Sequence, residues 1–120
     1  IYIDDADECL FIGDAFGWMW MPGCSVLSEY IDSLTKLIPE LKPYNDYLVM
    51  DGHRIQNTPK GVALADMPPA YVDAENMREL CSDILTGKIK PVKEEKFFGF
   101  QTAEYEGHGT HVVIRKSKIK

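Results

Sequence analysis

No apolar run in this 120-residue chain approaches the roughly 20 residues that a membrane-crossing helix needs, so a spanning helix is excluded. The start of the chain also lacks the pattern of a signal peptide. Cysteine is scarce: Cys9, Cys24 and Cys81 are odd in number and have no CxxC spacing. Free thiols in a reducing cytoplasm are the simplest reading. Positive charge is in deficit, with 13 Lys and Arg against 19 Asp and Glu and a net charge of -6. Such a surface repels phosphate backbones, which argues against nucleic acid as a partner. A phosphate-cradling P-loop and a G-x-S-x-G nucleophile elbow are both missing. There is no internal repeat and no low-complexity segment.

What is present is a sizeable core. Hydrophobic residues make up 45% of the chain, enough for one domain over residues 1–120 and too many for a disordered one. Residues 1–3 and 8–12 alternate like a hairpin, with Asp4, Asp5 and Asp7 in its polar turn. The glycine and distal glutamate of a calcium loop are missing there, so the turn reads as solvated. The chain opens at Ile1 already in a strand pattern, and so reads as a piece of a longer protein.

Residues 16–23 carry Phe16, Trp18, Met19, Trp20 and Met21 between Gly17, Pro22 and Gly23. The glycines and the proline favour an irregular loop, packed on the core or lining a pocket. Val26, Leu27, Tyr30, Ile31, Leu34, Leu37, Ile38 and Leu41 then recur at helical spacing, with Ser25 as a cap and Lys42-Pro43 as the stop. Residues 47–50 form a second apolar strand, and residues 54–71 a long loop rich in proline and glycine. Asp73 is placed to cap a second helix over Met77, Leu80, Cys81, Ile84 and Leu85, ended by Gly87. Residues 97–105 and 110–115 predict a terminal hairpin around a turn at 106–109. His108 and His111 flank that turn without a third histidine or a cysteine nearby, and read as surface residues. The basic run at 115–120 reads as a solvated tail.

The chemistry concentrates at two strand ends. Gly13-Asp14-Ala15 follows the run at 9–12, and Gly52-His53 follows the run at 47–50, with one helix between them. A carboxylate and an imidazole brought to one sheet edge can share a metal ion. Cys24 lies close by, but no His-plus-acid pattern supports it as a nucleophile, and Ser25 and Ser28 have no evident base.

The stretch LFIGDAFGWMWMPGCSVLSEYIDSLTKLIPELKPYNDYLVMDGH resembles the C-terminal half of a metallo-β-lactamase superfamily hydrolase. The resemblance implies an α/β fold, with a mixed sheet and helices on one face, as half of an αβ/βα sandwich. It implies that Asp14 bridges two metal ions, zinc or in some members iron, and that His53 binds the second. Phe16, Trp18 and Trp20 would then line a small-molecule pocket. A bound zinc supplies hydroxide at neutral pH by lowering the pKa of its water. The family's HxHxDH signature does not occur in these 120 residues. The expected partner is therefore an N-terminal half carrying it, or a second copy of the chain. Two ligands predict weak zinc binding by the chain alone; tight binding would point to His108, His111 or Asp51. The other reading is a non-catalytic interaction or assembly module.

Overall fold

The computed structural model describes residues 1–13, 18–21, 26–51, 68–97 and 99–120, with the backbone alone at 13, 18–21, 51 and 97. The first hairpin forms as its alternation requires. Strands β1 (Tyr2–Asp4) and β2 (Cys9–Gly13) pair antiparallel, with Ile3 opposite Leu10. Their turn is held from within. The Asp4 carboxylate accepts from the backbone N–H groups of Ala6 (3.1 Å) and Asp7 (3.2 Å). The Tyr47 hydroxyl donates to Asp5 at 2.7 Å. That hydrogen bond is the main reason the Tyr47 phenol is pushed up to about 12.

Helix α1 (Leu27–Leu41) follows the expected stripe, with Leu27, Leu34, Ile38 and Leu41 buried. Val26 occupies its N-cap position without a side-chain cap. One of the orphan N–H groups of the first turn, that of Ser28, instead donates to the Lys120 carbonyl at 2.9 Å. The basic tail is thus a packed segment. Lys116–Lys118 makes a 3-10 turn, Ile119 packs against the core, and Lys116 pairs with Glu94 at 2.5 Å. Ile119 and the backbone bond anchor the tail despite its lysines.

After a 3-10 turn at Lys42–Tyr44, β4 (Leu48–Asp51) lies parallel to β2, placing Leu10 beside Val49. Helix α2 (Ala70–Leu85) begins three residues before the expected cap. Pro69 stands at its N-cap, so Ala70 and Ala74 join Met77, Leu80, Cys81 and Ile84 in the core. Asp73 sits inside the first turn, where its charge suits the helix dipole. Gly87, at φ +75°, ends the helix as expected.

The last third forms two hairpins, β5 (Lys93–Phe97), β6 (Phe100–Gly107) and β7 (Thr110–Arg115). The β6–β7 turn is tighter than expected. His108 and Gly109 alone make it, both at positive φ (51° and 72°), as a two-residue turn demands.

Trp18–Met21 is a strand, β3, and not the irregular loop its glycines and proline favoured. It pairs parallel with β7, Trp18 with His111 and Trp20 with Val113. That partner lies at the far end of the chain and overrides the local breakers. The expected single mixed sheet is consequently two, ordered β1-β2-β4 and β3-β7-β6-β5, each mixed in direction. The fold is α/β. Helices α1 and α2 pack on each other, and α2 also lies against β6 and β7. A methyl group added at Gly107 would meet Leu80 Cδ1 at 3.2 Å, which puts α2 on the face of β6 that carries Ala103 and Tyr105. Val112 and Ile114 share that face. No helix among the described residues is long and apolar enough to cross a membrane.

Two expected outcomes test this packing. Leu80 is fully buried, so Leu80→Ala should cost about 2–5 kcal/mol in a urea unfolding curve. Burial pushes the Cys81 thiol from 9.0 up to about 12. Its folded form is raised relative to the unfolded chain, so this contribution is full below pH 9 and is lost as pH climbs toward 12. The wild type should lose stability above pH 9 by at most about 1.4 kcal/mol per pH unit from this group. Cys81→Ala should flatten the fall between pH 9 and the onset of tyrosine ionisation.

Candidate metal-binding sites

Two places bear on the expected metal chemistry. The first is the shared end of β2 and β4. These strands run parallel, and their register ends with Gly13 beside Asp51. Asp14 follows Gly13 by one residue and His53 follows Asp51 by two. Asp14, Phe16 and His53 themselves lie outside the described residues, as do Cys24 and Ser25. Trp18 and Trp20 are described through their backbone in β3, and Asp51 through its backbone in β4.

The second place is on the β6–β7 hairpin, on the face turned away from α2. The two-residue turn fixes its register: Gly107 opposite Thr110, Glu106 opposite His111, Glu104 opposite Val113. Side chains two apart on a strand share a face, so Glu104, Glu106 and His111 converge. One ligand atom from each lies within 4.8 Å of the other two. The His111 Nε2 is hydrogen-bonded to a Glu104 oxygen. His111 is not the surface residue its sequence position suggested, since its side chain is only 13% exposed. Glu104 is partly buried and Glu106 exposed. Lys93, opposite Glu104 on β5, pairs with Glu95 at 3.4 Å.

His108 does sit at the surface. Its Nε2 meets Asp83 of α2 at 2.8 Å and fastens the turn to the helix. It stands outside the trio of ligands. Further along the same hairpin, the Arg115 guanidinium stacks 3.5 Å from the centre of the Phe100 ring.

The sequence held a signal for the trio that the expected four-residue turn concealed. A turn at 106–109 takes Glu106 out of the strand. A turn at 108–109 restores it and sets it opposite His111 by counting alone. Comparisons of the chain with protein-family models, with curated proteins and with solved structures found no match.

Proposed function

We propose that this chain is the C-terminal portion of a metal-dependent hydrolase of a small molecule, similar to the metallo-β-lactamase superfamily and forming half of its αβ/βα sandwich. Asp14 and His53 are its metal ligands, with Asp14 the bridging group. The observation that carries the reading is the parallel pairing of β2 with β4, ending at Gly13 and Asp51. Open α/β sheets bind ligands beyond the carboxyl ends of parallel strands. Covalent geometry holds each residue's Cα about 3.8 Å from the next, so an Asp one residue past one end and a His two past the other belong to one edge. A carboxylate and an imidazole suit zinc, and two ions would supply activated water there. Two ligands are half of such a site. The remaining ligands come from an N-terminal half carrying HxHxDH, and the chain alone is inactive. Phe16, Trp18 and Trp20 follow Asp14 closely enough to line the substrate pocket. The free thiols of Cys9 and Cys81 suit a reducing compartment such as the cytoplasm.

One observation favours an assembly module instead. Tyr2 (68% exposed) and Phe11 (44% exposed) pair across β1 and β2, with ring centres 6.0 Å apart, as an exposed aromatic patch. A hydrolase half buries this patch against its counterpart, whereas an assembly module uses it without any chemistry.

Metal content and turnover separate the two once the chain is joined to a half carrying HxHxDH. Asp14→Ala should lose both metal and turnover, more than any other single change in this chain. His53→Ala should weaken the second metal more than the first and leave some turnover if one ion suffices. Trp18→Ala and Trp20→Ala should raise KM with little loss of metal. Full occupancy and unchanged turnover in Asp14→Ala would overturn the hydrolase reading. Light scattering gives a second test: the patch should drive pairing with the counterpart or with itself, and a stable monomer at high concentration would count against it.

A further inference from the structure

We infer that Glu104, Glu106 and His111 form a divalent transition-metal site on the outer face of the β6–β7 hairpin, separate from the strand-end pair of Asp14 and His53. Three observations converge on it. The turn at His108-Gly109 locks the register, so the three side chains are brought together by backbone pairing and not by a chance rotamer. Their ligand atoms already lie within 4.8 Å of one another. A single zinc ion with bonds near 2.1 Å holds its ligands roughly 3.5 Å apart, a distance reached by side-chain rotation alone. Finally, the donors are mixed. Two carboxylates this close repel each other, and the hydrogen bond from His111 to Glu104 does not neutralise both. A doubly charged cation does.

The imidazole separates the trio from an ordinary acidic patch and selects the metal. Carboxylates alone suit magnesium or calcium, whereas adding an imidazole shifts preference toward zinc and its first-row neighbours. His111 exchanges its bond to Glu104 for the ion, and Glu106 closes the site from the solvent side. Three protein ligands leave a fourth position open to water or to a ligand atom from a partner. The site spans both strands of the hairpin, and β7 is also the strand that holds β3. Metal bound there therefore braces the sheet that carries Trp18 and Trp20.

The test is a zinc titration of the full chain carrying Asp14→Ala and His53→Ala, which removes the strand-end pair and leaves the trio intact. Calorimetry should show one zinc per chain. Side-chain NMR should show the His111 ring responding to zinc while His108 does not. Glu106→Gln lies at the exposed rim and leaves the core untouched. It should weaken zinc binding by more than the roughly 10- to 100-fold that losing a supporting partner costs at known sites. His111→Gln should abolish binding, with an unchanged metal-free melting curve showing that the fold persists. Absence of zinc binding at millimolar concentration would overturn the proposal. So would affinity unchanged in Glu106→Gln and His111→Gln, or a response at His108 in place of His111. Failure of the strand-end reading would instead appear as unchanged metal content in Asp14→Ala of the joined protein, so the two outcomes are distinct.

Discussion

Leu10 lying beside Val49 is the contact on which the rest of the architecture depends. Both side chains are buried, and their strands run in the same direction. Parallel neighbours cannot be joined by a tight turn, so the chain must leave the sheet and return by a crossover of a dozen residues or more. Helix α1 supplies that crossover and contributes Leu27, Leu34, Ile38 and Leu41 to the core. The same pairing sets where the two strands stop, and with it the edge at which an aspartate and a histidine follow in the chain. One register thus fixes where both strands end.

The β6–β7 hairpin shows how a second register divides labour between two faces. Ala103, Tyr105, Val112 and Ile114 turn toward α2 and are buried. One step along each strand, the opposite face gathers Glu104, Glu106 and His111. A slip of one residue would put the carboxylates into the core and the apolar side chains into water. The His108-Gly109 turn guards against that slip, and the contact between His108 and Asp83 holds the turn to the helix.

Features governed by neighbouring residues were legible in the sequence. The apolar stripe of α1, the aspartate-rich turn after β1 and the stop at Gly87 all rest on local chemistry, and all stand where the residues place them. Features governed by distant partners were not. Gly17, Pro22 and Gly23 argue for a loop, yet β7 turns Trp18–Met21 into a strand from the other end of the chain. The lysines near the end argue for a solvated tail, yet the Lys120 carbonyl meets a first-turn N–H of α1. The start of α2 was missed for a different reason: Pro69 presets a cap geometry that outcompetes the better capping side chain of Asp73. The cluster of Glu104, Glu106 and His111 was not legible, since His111 reads beside His108 as a surface residue. Its residue types were plain, but their convergence depended on a turn two residues shorter than the glycines suggested.

The pairing of β3 with β7 also has a consequence for how the protein is made. Among the described residues, β3 pairs only with β7, a strand that leaves the ribosome long after it. Until that strand emerges, Trp18–Met21 lacks its β7 partner and α1 lacks the carbonyl that meets Ser28. Residues 1–51 can collapse early, because the β2–β4 pair and α1 lie within them. The four-stranded sheet must wait for the end of synthesis, and contacts of such long sequence separation form slowly. In that interval the aromatic strand waits in a nascent chain without its β7 partner. Sheltering it is a task for the cell's chaperones, or for a neighbouring domain that folds first.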